Sequence, residues 1–97
     1  MLEKTIERYF KKKIEENGGE CIKLTGLVGI PDRMVLLPEG KMFFVELKQK
    51  GKKPRAIQTF IHNKLRKLGF NVYVIDDKYK IVEVFKEWNL NHMDIKN

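Results

Sequence analysis

The segment Met42-Phe43-Phe44-Val45-Glu46-Leu47-Lys48 limits what this chain can fold into more than any other stretch. A strand sends alternate side chains to opposite faces, so Phe43, Val45 and Leu47 line one face while Met42 and Phe44 line the other. Apolar residues on both faces suit a strand that lies inside a sheet with cover on either side. Glu46 and Lys48 break the pattern. They share the Met42 and Phe44 face at the C-terminal end of the strand, with Cα atoms ~6.6 Å apart. An acid and a base therefore occupy one partly buried site.

The rest of the chain supplies the neighbours that such a strand needs. Leu2, Ile6, Tyr9, Phe10 and Ile14 form one stripe at helical spacing, which predicts a first helix from residue 2 to about 16, stopped by Asn17-Gly18-Gly19. Glu20 to Thr25 reads as a short strand. Gly26 to Pro31 breaks regularity, Val35-Leu36-Leu37 forms a second strand, and Pro38-Glu39-Gly40-Lys41 has the chemistry of a turn into the Met42–Lys48 strand. Ile57, Phe60, Ile61, Leu65 and Leu68 recur at helical spacing and predict a second helix over about 54 to 68, ended by Gly69. Val72 to Ile75 reads as a fourth strand. Asp76-Asp77 can cap a last helix carrying Ile81, Val84, Phe85 and Trp88, and the tail from Asn89 carries no readable signal. The expected architecture is α/β, a mixed sheet of about four strands flanked by helices in the order α-β-β-β-α-β-α. Ninety-seven residues hold one core, so a single domain is expected over 1–97, with its core at about 2–88.

The hairpin gives the charged pair a third partner. Asp32 stands at the start of the second strand, restrained by Pro31 and preceded by glycines that let its loop come close, and the hairpin can bring it beside Glu46. Two carboxylates ~4 Å apart repel by about 4 kcal/mol at an effective dielectric of 20, which would protonate one of them unless a cation intervenes. A divalent metal answers that need. Mg²⁺ prefers hard oxygen ligands and keeps several waters, so Asp32, Glu46, a backbone carbonyl such as that of Leu47 and a phosphate oxygen would suffice. Lys48 would then face the attacking water, where its ammonium could orient the nucleophile or offset charge growing on a phosphorane. This is the chemistry of phosphodiester hydrolysis.

Pro31-Asp32 followed by Glu46-Leu47-Lys48 resembles the PD-(D/E)xK nuclease motif with both halves intact. More closely, the chain resembles the small stand-alone VRR-Nuc nucleases of phages and bacteria over about residues 2 to 88. The matching stretches are Gly18-Gly19, Gly29-Ile30-Pro31-Asp32-Arg33, Phe44 to Lys48, Gly51-Lys52-Lys53-Pro54-Arg55, Gln58, His62 and Leu68-Gly69-Phe70. The resemblance implies a restriction-endonuclease-like core and a Mg²⁺- or Mn²⁺-dependent, structure-selective DNA endonuclease. It also implies a homodimer acting on branched DNA such as Holliday junctions. By the same resemblance Asp32 and Glu46 are metal ligands, Lys48 is the catalytic lysine, and Gln58 is the glutamine that follows the core. A glutamate on the first helix is also implied, and Glu7 is favoured, with Glu3 close behind.

Several residues carry a plainer reading beside the functional one. Glu46 and Lys48 alone could form an edge-strand ion pair, and Glu7 could be a solvated acid paired with Lys11 one turn on. Gln58 and His62, a turn apart, also suit a surface or packing role. The Lys11-Lys12-Lys13 run reads as a solvated helical face, with the Lys13 stem lying along the apolar stripe. Lys50, Lys52, Lys53 and Arg55 differ, because they follow the charged strand directly and lead into a helix N-terminus, an arrangement suited to phosphate contact. Arg33 either contacts phosphate or offsets its acidic neighbours. Twenty Lys and Arg against 13 Asp and Glu leave a net charge of +7, which points to a polyanionic partner. The 42% hydrophobic content excludes a disordered basic tail. A lone Cys21, no paired metal-type Cys or His spacing, and no apolar run long enough for a signal peptide or membrane span suggest a soluble cytoplasmic protein. In the alternative reading the chain is a non-catalytic module that binds branched DNA, with the acids structural. No base-reading motif is visible, so recognition of DNA shape is expected.

Overall fold

The computed structural model describes residues 3–90. Its elements run α1 (Glu3–Glu16), β1 (Glu20–Lys23), β2 (Arg33–Leu37), β3 (Lys41–Leu47), α2 (Ala56–Lys67), β4 (Val72–Ile75) and α3 (Lys78–Glu87), with a tight turn at Pro38–Gly40. This is the expected order. Leu2 and the tail from residue 91 lie outside the described residues. The four strands form one mixed sheet in the order β1-β2-β3-β4, antiparallel except where β4 joins β3 in parallel through the α2 crossover.

Local chemistry accounts for the element ends. The α1 helix buries Ile6, Phe10, Lys13 and Ile14, and it stops where Gly18 turns to φ +81 and the Gly19 N–H donates to the Ile14 carbonyl at 3.0 Å. Gly19 must be small: a Cβ there would stand 2.6 Å from the Leu36 carbonyl oxygen. Asp77 caps α3 as expected, its carboxylate accepting from the Lys80 N–H at 2.9 Å. At the far end of α3, Asn89 adopts φ +59 and the Leu90 N–H donates to the Phe85 carbonyl at 2.8 Å, so the ordered packing runs past Trp88 to Leu90.

The strands bury their odd-numbered side chains against α1 and α3. Val35, Leu37, Val45, Leu47 and Ile75 meet Ile6, Phe10, Ile14, Ile81, Val84, Phe85 and Trp88 in one cluster. Trp88 lies flat on Phe43, with ring centroids 4.4 Å apart and planes within 9°, and therefore covers the sheet. Cys21 sits at the edge of this cluster as a small buried hydrophobe, its thiol pushed up to about 11 chiefly by burial. Lys13 lays its stem in the core margin and sends its ammonium to Glu16 at 3.1 Å.

The opposite face is covered only in part, by α2, and here the structure departs from the apolar-stripe expectation. Phe60 and Leu68 are more than 60% exposed and Ile57 is 42% exposed, while the residues that α2 buries are Gln58 and His62. The reason is the sheet beneath. The α2 helix lies over the end of β3 where Glu46 and Lys48 point, so the helix turns its polar pair inward to meet them.

Candidate active site

The hairpin register fixes the centre of the site. Arg33 pairs with Val45, so one step further along the antiparallel ladder places Asp32 opposite Glu46. The contact is direct: the Asp32 N–H donates to Glu46 Oε1 at 3.2 Å, and the Leu47 N–H donates to Asp32 Oδ1 at 3.1 Å. Each acid is thus held by the other's strand. The loop before Asp32 can approach because Gly29 adopts φ +85 and packs on α2, where a Cβ would meet Ile61 Cγ1 at 2.8 Å.

Glu46 is 3% exposed, and its carboxylate is met by polar groups. Oε2 accepts from Gln58 Nε2 at 3.2 Å and lies 3.4 Å from Lys48 Nζ. Gln58 in turn accepts the Arg55 N–H at 2.8 Å, so one amide both closes the start of α2 and holds Glu46. His62 is 1% exposed, with Nε2 at 3.7 Å from Glu46 Oε1 and no hydrogen-bond partner. Burial, together with the cations Arg66 and Lys48, holds the His62 pKa below its usual value, so the ring is neutral at pH 7.

A second acidic group closes the site from α1. One carboxylate oxygen from each of Glu3, Glu7 and Asp32 lies within 4.8 Å of the others. Both helix-one candidates therefore reach Asp32. They differ in what holds them: Glu7 accepts from buried Arg33 at 3.0 Å, while Glu3 is exposed. Arg33 also reaches back to the Asp32 carbonyl at 3.0 Å and stands 3.8 Å from its carboxylate, so it offsets its acidic neighbours. Burial first, and then the Glu46 charge, push the Asp32 carboxyl up to about 7. Burial also raises Glu46, against the pull of Lys48. Four acids share one corner of the fold, and two of them are held in their charged form only at a cost.

The basic loop between β3 and α2 flanks this corner. Lys50, Lys52, Lys53 and Arg55 are all exposed and have no ion pair among the described residues, while Gly51 at φ +82 donates its N–H to Asp76 at 3.4 Å and ties the loop to the end of β4. Asp32, Glu46, Lys48, Gln58 and Glu7 thus come together as a group. For Leu47 the hydrogen bond observed is its N–H to Asp32. His62 joins this group as well, its Nε2 3.7 Å from Glu46 Oε1. Its signal was the one-turn spacing from Gln58, which puts both residues on whichever side of the helix faces Glu46.

No protein-family model matches the chain. A protein of Acyrthosiphon pisum secondary endosymbiont phage 1 named "Putative nuclease p44" is 40% identical over 78 residues, which span 78% of this chain and 84% of that protein. A solved structure described as a VRR_NUC domain superposes with a TM-score of 0.84 at 33% identity, covering 91% of this chain and 98% of that one. The mixed four-stranded sheet flanked by helices is the fold of that structure.

Proposed function

The chain belongs to the VRR-Nuc family of nucleases, and from that premise we propose that it is a Mg²⁺- or Mn²⁺-dependent, structure-selective DNA endonuclease. The observation that carries the reading is the meeting of Asp32, Glu46 and Lys48 at the end of β3, with Glu3 and Glu7 closing in from α1. The donor set offers only hard carboxylate and carbonyl oxygens, which suits Mg²⁺ or Mn²⁺ and not a soft metal. The raised Asp32 carboxyl marks a site that gains from added positive charge. Asp32, Glu46, Glu7 or Glu3, and the Leu47 carbonyl are the residues that would hold such an ion. When bound, a divalent cation neutralises the carboxylates, polarises a phosphoryl oxygen and lowers the pKa of water.

The chain's own groups do the rest. Gln58 and the Asp32 N–H fix both oxygens of Glu46, so the carboxylate needs no reorganisation. Lys48, 17% exposed, keeps its ammonium at the mouth of the acid group, where it can orient an attacking water or offset charge on the phosphorane. Lys50, Lys52, Lys53 and Arg55 contact backbone phosphates and fix the register of the strand, and Arg33 holds Glu7.

Branched DNA, such as a Holliday junction, is the proposed substrate, and a homodimer the acting form. One protomer offers one site, so symmetric cutting of two strands needs two subunits. Leu27, Val28, Ile57 and Phe60 support this reading, because all four expose apolar side chains, and the loop carrying Leu27 and Val28 packs on α2 at Ile57 through Gly29. Among the described residues no helix is long and apolar enough to cross a membrane, and the proposed place of action is the cytoplasm, that of the bacterial host if the chain is phage-encoded.

The test is cleavage of labelled four-way junction, flap and linear duplex with Mg²⁺, Mn²⁺ or EDTA, comparing wild type with Asp32→Ala and Lys48→Ala. The expected result is metal-dependent cutting of the junction that both substitutions abolish while DNA binding survives. Folded wild type that cuts no DNA with either metal overturns the nuclease reading in favour of a DNA-binding module.

A further inference from the structure

The exposed side of α1 carries charge that the reading above leaves unused. Lys4, Arg8, Lys11 and Lys12 are exposed and have no ion pair among the described residues. Lys4, Arg8 and Lys11 do not simply point at bulk solvent. With Glu7 and Arg33 they line a cavity of about 320 Å³. A neighbouring cavity of about 240 Å³ is lined by Thr5, Arg8, Tyr9 and Lys12, so Arg8 stands in the wall between the two. The single carboxylate in the larger cavity, Glu7, is already answered by Arg33 at 3.0 Å. What remains is a concave surface of uncompensated cations.

The position of that surface gives it meaning. Glu7 belongs both to the cavity wall and to the Glu3, Glu7 and Asp32 group, so the cavity opens beside the acids. The α1 helix packs on the sheet face of Val35 and Val45, whereas Gln58 of α2, which the basic loop 49–55 leads into, reaches Glu46 on the opposite face. The acids therefore stand between two groups of cations, one on each side of the sheet. An acidic centre by itself repels a phosphate chain, and cations on only one flank would hold only one side of the bond to be cut. From Lys4 to Lys11 the helix rises ~10 Å, long enough to meet more than one phosphate of a strand.

We infer that the cavity lined by Lys4, Arg8, Lys11 and the Glu7–Arg33 ion pair is a phosphate-binding subsite, with Lys4, Arg8 and Lys11 as its cations. It holds the DNA sugar–phosphate backbone on the side of the acids away from the 49–55 loop, so that the cleaved strand crosses the end of the sheet from one cation group to the other. The inference rests on the nuclease reading for the strand's path, though not for the binding itself.

Equilibrium binding of a four-way junction in EDTA, followed by fluorescence anisotropy over a series of KCl concentrations, tests it. The variants are the triple Lys4→Gln/Arg8→Gln/Lys11→Gln, the three single substitutions, and a charge-matched control, Lys64→Gln/Lys67→Gln/Lys86→Gln. Each neutralised phosphate contributes about −0.9 to the slope of log affinity against log salt. The triple variant should flatten that slope by about 2 to 3 and each single by about 0.9, with the control at the wild-type slope. Singles and triple all at the wild-type slope, or a control that flattens it as much as the triple, overturn the inference. Failure here alongside metal-dependent cutting by wild type removes the subsite and leaves the nuclease standing. A flattened slope in a protein that never cuts removes the nuclease and leaves the subsite.

Discussion

Replacing Asp32 by Asn should stabilise the protein, and by an amount that depends on pH. The carboxyl rises from 3.8 to about 7 in the fold, chiefly through burial and then through the Glu46 charge. An acid with a higher pKa in the folded chain keeps its proton there after the unfolded chain has released it. Stability from this group is therefore greatest below about pH 4, falls as the pH rises, and is fully lost above about pH 7. Three pK units at about 1.4 kcal/mol each give a ceiling of roughly 4 kcal/mol, and about 2 to 4 is a fair expectation for a group coupled to Glu46. Asn keeps the Oδ1 acceptor for the Leu47 N–H and removes the charge; it also forfeits the 3.8 Å contact with buried Arg33, which keeps Glu7 as its partner at 3.0 Å. Urea unfolding in EDTA at pH 5 and pH 8, followed by the fluorescence of the buried Trp88, measures the difference. Asp32→Asn should exceed wild type at pH 8, and the gap should narrow at pH 5. Saturating Mg²⁺ should stabilise wild type more at pH 8 than at pH 5 and leave Asp32→Asn nearly unmoved. A variant no more stable than wild type at pH 8, or a gap that does not change with pH, would refute the argument that the acids oppose one another in the fold.

Three further outcomes follow from single contacts. Gln58→Ala removes the acceptor of the Arg55 N–H and leaves Glu46 Oε2 with Lys48 alone, and should cost about 1 to 3 kcal/mol in urea unfolding, whereas His62→Leu removes a buried nitrogen that has no partner and should change stability by less than about 1 kcal/mol. Gly29→Ala forces a side chain into φ +85 against Ile61 and the Ile57 carbonyl, with an expected loss of about 1 to 3 kcal/mol and a melting temperature lower by at least about 4 °C. Phe60→Glu, at a residue 63% exposed, should leave the fold intact by circular dichroism and shift the light-scattering mass of the proposed dimer to that of a monomer; a dimer that survives it would move the interface elsewhere, and a monomeric wild type would remove the dimer.

What the sequence made legible was whatever depends on short-range pattern. The hairpin was legible because Pro31-Asp32 and Glu46-Leu47-Lys48 flank a tight turn, and antiparallel register then leaves Asp32 only one neighbour across the ladder. Helix caps at Gly18 and Asp77 are likewise local chemistry. The orientation of α2 was not legible. Its apolar residues promised a buried stripe at Ile57, Phe60 and Leu68, yet the helix lies over a charged strand end, and the cost of leaving Glu46 without partners there exceeds the gain from burying another Phe. That choice depends on a contact between residues 46 and 58, which no periodicity encodes. The same limit applied to Glu3 and Glu7, since both lie on the α1 edge and only the packing of α1 brings each to Asp32.

The charges at this corner also explain why a small fold tolerates them. Burial and the Glu46 charge raise Asp32, burial raises Glu46, and neither acid is left bare: Arg33 stands by Asp32 and Glu7, and Lys48 by Glu46, both cations with less than a fifth of the side chain exposed. Each cation thus has two uses. It limits the repulsion that would otherwise open the hairpin end, and in the proposed reaction it lies beside the charge that hydrolysis develops. A neutral substitute at Lys48 would take away the cation that lowers Glu46 and leave it the Gln58 amide and the Asp32 N–H as donors, so its carboxyl should rise further. Stability and the proposed turnover at this corner are therefore coupled through the same few charges, and the two cannot be tuned independently by changing any one of them.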